Sequence, residues 1–264
     1  ELSTVVKNAS MFGRTLTVLD ASAPGRFGNT SVEVSISGGS LSSRSITEVL
    51  NGANACALRI DANDDWEILQ YLNAELLESG SYRLSGMLRG QRGTEHLIQE
   101  AVPVGAELVF LSTDLRQLPI SEESLGLEKY FRMGPSDKAV SDSSFVSSTQ
   151  VFKGIGQRPY SPVHLACRGG ASDDLSFTWI RRTRINGDSW SVYETPLGEV
   201  DERYLVRVTD GTSVLREAEV NSASWVYTQS DQTADGVTGT VEVHVAQISQ
   251  KFGPGPFNRI ICNV

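Results

Sequence analysis

The sequence predicts an all-β protein of two domains. Short stretches of period-two hydrophobicity recur from end to end, as half-buried strands require. Turn formers punctuate them, with 24 glycines and abundant Ser and Thr in 264 residues. Long Ala/Leu/Glu/Lys runs of the kind that build helical bundles are missing. Apolar residues make up 39% and charged residues 21%, proportions that argue against a disordered chain.

Val32, Val34 and Ile36 alternate with Glu33, Ser35 and Ser37, which predicts a strand. Ala23-Pro24-Gly25 and Gly28-Asn29 mark the loop before it, and Gly38-Gly39 ends it. Residues 66–77 and 81–89 read as a long β-ribbon. Trp66, Ile68, Leu72, Ala74 and Leu76 share one face of its outgoing strand, and Tyr82, Leu84, Gly86 and Leu88 one face of its return. Glu78-Ser79-Gly80 supplies the turn. Leu108 and Phe110 mark a further strand after the Pro103-Val104-Gly105 break. Helix is expected only over Thr94–Ala101 and Ser121–Leu127, where Ser121 reads as an N-cap before Glu122 and Glu123.

Composition shifts over 134–161. Gly134-Pro135-Ser136-Asp137 opens a Ser-rich stretch, and Gly154, Gly156, Pro159 and Pro162 bracket a linker. A boundary near Gly156 gives a β-rich domain with a long hairpin over 1–155 and a second domain over 156–264. In the second, Val163–Cys167, Leu175–Arg181, Tyr204–Val208, Val214–Val220, Val226–Thr228, Val241–Ile248 and Ile260–Val264 read as strands. About seven strands in roughly 100 residues is the spacing of an immunoglobulin-like sandwich. Trp179 sits mid-strand, where a large ring fills the space between sheets.

The formal net charge of −9 is opposite to that of a nucleic-acid binder. The one dense basic cluster, Arg181, Arg182 and Arg184, reads as a solvated strand face. No apolar run approaches the roughly 20 residues of a membrane helix. Residues 1–20 show no signal-peptide pattern, and the start at Glu1 reads as a fragment or processed product. Cys56, Cys167 and Cys262 form no C-x-x-C and read as free thiols of a protein folded in a reducing cytoplasm. Cys167 and Cys262 fall on the first and last strands of the second domain, which can be neighbours in a sandwich.

Catalytic patterns fail on inspection. Asp61-Ala62-Asn63-Asp64-Asp65 starts like a calcium loop, but Trp66 and Leu72 occupy the places of its Gly and Glu, leaving a solvated acidic turn. His96, His164 and His244 lack metal-ligand spacing. Gly154-Ile155-Gly156 begins a G-x-G, but Pro159 stands at the third glycine. There is no nucleophile elbow, and Glu122-Glu123 share one short helix instead of converging from two elements as a glycosidase requires. The expectation is a non-enzyme without metal or cofactor, with a glycan hydrolase ranked last. A carbohydrate- or receptor-binding role would fall to Trp190, Tyr193, Trp225 and Tyr227, for which core or rim packing is the favoured role.

The most distinctive segment is Leu84-Ser85-Gly86-Met87-Leu88-Arg89-Gly90-Gln91-Arg92-Gly93-Thr94-Glu95. Arg89 and Arg92 could clamp a ligand. The favoured reading is structural: Gly90 and Gly93 turn the strand sharply while the arginines bond nearby carbonyls or carboxylates. The segment resembles the "L-S-G-L-L-R-G-x-R-G-T-E" stretch of phage tail tip proteins of the gene transfer agent host-specificity type. Gly105-Ala106-Glu107-Leu108-Val109-Phe110-Leu111 resembles that family's "G-x-x-F-V-L-L" strand. Arg158-Pro159-Tyr160-Ser161-Pro162-Val163-His164-Leu165 resembles its "R-P-L-A-P-V-H-L" linker. Phe177-Thr178-Trp179-Ile180-Arg181-Arg182-Thr183-Arg184, then Asp188-Ser189-Trp190, is similar to its "L-S-W-I-R-R-T-R-I-D-G-D-S-W". Gln247-Ile248-Ser249 and Gly253-Pro254-Gly255 look like its ending.

The resemblance runs from about Ala53 to Gly255, with no motif matched in the first 50 residues. It implies the C-terminal part of a large tail tip or baseplate hub protein, ending in a fibronectin type III domain. It further implies tail-tip and baseplate partners, a host surface glycan or receptor, three copies around a hub, and a place in the virion. The enzymatic or hub portions and the ring contacts would lie upstream of Glu1, so the fragment alone is expected to be monomeric. No catalytic residue is carried over.

Overall fold

The computed structural model describes residues 4–60, 65–98, 101–170, 173–187, 189, 191 and 193–264. The protein is all-β and divides into two compact units, Glu1–Ser121 with Lys129–Gln150 and Glu122–Glu128 with Val151–Val264.

In the first unit, six strands close into an antiparallel barrel: β1 (Phe12–Thr15), β2 (Phe27–Ser37), β3 (Ala55–Arg59), β4 (Trp66–Leu76), β5 (Tyr82–Gln91) and β6 (Glu107–Phe110). The order is β1-β2-β5-β4-β3-β6, and β6 pairs with β1 as well as β3, so none of the six keeps an open edge. Val32, Val34, Tyr82, Leu84, Leu108 and Phe110 point into the core, as their alternation predicts. The outgoing ribbon strand faces the other way from the expectation. Glu67, Leu69 and Tyr71 of β4 are buried, whereas Trp66, Ile68 and Leu72 are only half-buried and Leu76 is exposed. A bulge between Ile68 and Gln70 shifts the register, and a charge partner lets Glu67 occupy an inward position. In β5 the inward set passes from Tyr82 and Leu84 to Met87 and Arg89 after Gly86, whose φ is +64°.

Helix lies elsewhere than expected. The segments near Thr94 and Ser121 hold single 3-10 turns, Glu95–Leu97 and Glu122–Ser124. Among the described residues two short α-helices occur instead, α1 (Ile46–Leu50) and α2 (Gln229–Ala234). Ser45 and Glu48 cap α1 reciprocally, and the Thr228 side chain accepts from the Asp231 N–H at the start of α2. The Ser-rich stretch before the linker holds a strand, β8 (Val146–Val151), which pairs with β7 (Glu128–Met133) in a two-stranded sheet.

The second unit is a two-sheet antiparallel β-sandwich around its own apolar core. Its strands are β9 (Val163–Arg168), β10 (Leu175–Ile180), β11 (Tyr204–Thr209), β12 (Val214–Val220), β13 (Ser224–Tyr227), β14 (Thr240–Ser249), β15 (Gly253–Pro254) and β16 (Asn258–Asn263). One sheet runs β13-β10-β9; the other runs β12-β11-β14, with β15 and β16 both pairing with β14. Trp179 fills the space between sheets, 4% exposed and edge-on to Tyr204 with ring centroids 5.2 Å apart.

Candidate functional site

The distinctive segment builds one corner of the barrel. Arg89 and Glu67 are both fully buried and face each other bidentately, Nε to Oε1 at 2.6 Å and Nη2 to Oε2 at 2.5 Å. Arg89 Nη1 also donates to the Asp20 carbonyl at 3.1 Å, and the Gly90 N–H donates to Glu67 Oε1 at 2.9 Å. The pair is thus hydrogen-bonded on several sides, the condition under which a buried ion pair is tolerated. Gly90 follows at φ +63°, and a Cβ there would lie 2.6 Å from the Glu95 Cα. Arg92 and Gly93 continue in the left-handed region at +56° and +84°. Thr94 closes the corner: its hydroxyl accepts from the Ile68 N–H and donates to the Gln91 carbonyl. The expectation that both arginines bond neighbours holds for Arg89 only. Arg92 is exposed, and among the described residues it pairs with nothing.

Sequence reasoning missed Glu67, the group that makes Arg89 structural. The turn at Glu78-Ser79-Gly80 sets the β4–β5 register and brings position 67 within diagonal reach of 89. A lone acid among Trp66, Ile68 and Leu69 was the available signal. A second charged group, also unforeseen, lies at the foot of β6. Glu107 bridges Arg14 at 2.8 Å and Arg59 at 3.2 Å beside an open depression of about 290 Å³. Pro103, Val104 and Gly105 are among the residues that line it.

The four aromatics proposed as ligand contacts separate. Trp190 lies outside the described residues, as does the acidic stretch Asp61–Asp64. Tyr193 is fully exposed. Trp225 is half-buried in a ladder with Phe177 and Tyr227, at centroid spacings of 5.8 and 5.3 Å. Tyr227 takes the favoured packing role instead of the ligand one, since it is completely buried and offers no face to a ligand. Its hydroxyl donates to Asp235 Oδ2 at 2.7 Å; burial first, then that bond, pushes the phenol well above its ordinary range. The basic cluster is likewise not a solvated strand face. It follows the end of β10 and is half-buried: Arg181 bonds the Thr195 carbonyl, Glu202 and Glu194; Arg182 stacks on Tyr160; and Arg184 meets Glu199. Among the described residues no group of three or more His, Cys, Asp or Glu is placed to hold a metal. No helix among them is long and apolar enough to cross a membrane.

Residues 10–109 match a protein-family model described as Rcc01698-like, C-terminal, a stretch that takes in all of the barrel strands but Phe110. No curated protein matches the chain. Among solved structures the chain is similar to domains d3–d4 of the rat CD45 extracellular region, with 11% identity over 58% of this chain and 72% of that one and a TM-score of 0.29. It is similar to the FN1–FN3 domains of chicken CNTN1, with 15% identity over 95% of this chain and 65% of that one and a TM-score of 0.29. Domains A168–A170 of titin give 9% identity, 96% and 99% coverage and a TM-score of 0.27.

Proposed function

We infer that this chain is a structural, non-catalytic module of a phage-type tail tip, held among other tail-tip or baseplate proteins in the virion. The observation that carries the reading is the fate of the tail-tip-like motif. Arg89, Gly90, Gly93 and Thr94 are consumed in fixing a rigid barrel corner through a buried ion pair, a close backbone approach and a hydroxyl bridge. A motif spent on rigidity suits a part that works by position. The family model over the barrel, whose description names a C-terminal region, suits a module of a larger protein.

The test is an epitope inserted at the exposed Gly211 turn of the protein in assembled particles. Gold label at the tail end, with three copies around the axis in averaged images, is expected. Particles that assemble without label would overturn the reading. The fully exposed Tyr193 favours a second one, a carbohydrate- or receptor-binding surface within the same tail tip. Binding on a glycan array that Tyr193→Ala removes would establish it.

A further inference from the structure

We propose that Cys167 and Cys262 form a paired oxidation site, which a hydroperoxide converts into an intramolecular disulfide tying the first strand of the sandwich to the last. The two thiols are free in this structure. Cys167 lies on β9 with its side chain on the core side, half-buried, while its neighbours Ala166 and Arg168 face out. Cys262 lies on β16, 6% exposed and part of the same apolar cluster. β9 and β16 belong to different sheets and run against each other where the sheets meet. A hydrogen bond from Asn258 Nδ2 to the Pro162 carbonyl, 2.8 Å, pins their starts together. The two thiols are neighbours: burial first, then the adjacent Cys167, pushes the Cys262 thiol up. Cys56, by contrast, is sealed in the barrel core.

The chemistry balances with one equivalent of hydroperoxide. The half-exposed Cys167 sulfur attacks the terminal peroxide oxygen, the O–O bond breaks, and Cys167 becomes a sulfenic acid while an alcohol or water leaves. The Cys262 sulfur then attacks the Cys167 sulfur; the S–S bond forms, the S–O bond breaks, and the hydroxyl leaves as water with the thiol proton. Two thiols lose two electrons and the peroxide gains them. The elevated thiol of Cys262 makes this second step slow at neutral pH and faster as pH rises. The bridge closes a loop spanning nearly the whole sandwich, the long-loop case in which a cross-link restricts the unfolded chain most. It would also carry force applied through the two ends of the sandwich. The proposal does not depend on the tail-tip reading.

The experiment uses the whole chain and millimolar hydrogen peroxide. Thiol titration in denaturant should find three free thiols before treatment and one after, with a mass loss of about 2 Da in a species that stays monomeric on a non-reducing gel. A non-reducing peptide map should join Cys167 to Cys262 and leave Cys56 free. The sandwich melting temperature should rise by roughly 5–15 °C and return on reduction with dithiothreitol. Cys167→Ser should abolish both the mass loss and the rise. Oxygen addition without a cross-link, a link to Cys56, or a disulfide between molecules would each overturn the proposal. The map of the unsubstituted chain decides the question even should the variant fold poorly.

Discussion

At the scale of single residues, the barrel depends on a pair of charges that sequence patterning treats as surface. Arg89 and Glu67 have no exposed side-chain area, so removing one partner strands the other in the core. Arg89→Met should destabilise the barrel by about 3–5 kcal/mol in denaturant titration. Adding Glu67→Leu should return most of that loss, because an apolar pair needs no compensation; a neutral single substitution would contradict the burial. In the sandwich, Trp179→Ala should cost about 3–5 kcal/mol, while Tyr193→Ala should leave the melting temperature unchanged. Asp235 sets a pH dependence. The Arg216 guanidinium, bidentate at 2.7 and 3.0 Å, lowers its pKa, and the Tyr227 hydroxyl adds to that; partial burial opposes them. Because the folded pKa lies below the unfolded one, the contribution is complete above about pH 4 and is lost as pH falls through the folded value. Urea titrations of the sandwich from neutral to acid pH should show that decline, and Asp235→Asn should flatten it. Trp179 was legible because an aromatic within strict alternation has one role. For Tyr227 the packing role was legible but the partner was not: the acid that satisfies its hydroxyl lies eight residues on, beyond the short strand.

At the scale of elements, alternation identified strands better than faces. The core sides of β2 and β6 follow the sequence, since only one side of each carries a continuous apolar row. β4 carries apolar residues on both sides, and its bulge between Ile68 and Gln70 is invisible to period-two counting. The inward acid at 67 then tips the reading to the wrong face. The helices failed for a related reason. Ser45-Ile46-Thr47-Glu48 is a complete capping box, yet the helix it starts is only five residues long and shows no apolar period. The corner after β5 was legible as a turn, because Gly90 and Gly93 permit conformations that side chains resist. Gly90→Ala tests that directly. It combines a left-handed φ with an approach of 2.6 Å to backbone, so either β5 or the Glu95 turn must move. A loss of about 2–4 kcal/mol is expected from denaturant titration. Gly105→Ala, at φ +90° with open space around its would-be Cβ, should show only the backbone penalty of about 1 kcal/mol.

At the scale of the whole molecule, the barrel and the sandwich each close on their own core, so the chain should behave as separable units joined by accessible segments. Trypsin should cut first at Lys138 or Lys153, exposed on either side of β8, and a first cut within the sandwich strands would argue against that division. Self-association is the property on which composition and architecture speak together. A formal charge of −9 sets copies of the chain against one another at low salt. The barrel has no open edge among its six strands for strand addition between copies. The short β7–β8 sheet does keep open edges, and with them exposed Tyr130, Met133 and Val146, which suit contact with a different surface in an assembly better than a closed ring of like-charged copies. Light scattering on the chain alone should therefore return a mass near 28.7 kDa across a tenfold range of concentration. A stable trimer at low salt would show that the chain itself supplies the contacts of a threefold ring. Association that emerges only at high salt would show that apolar surface is present and normally held apart by charge.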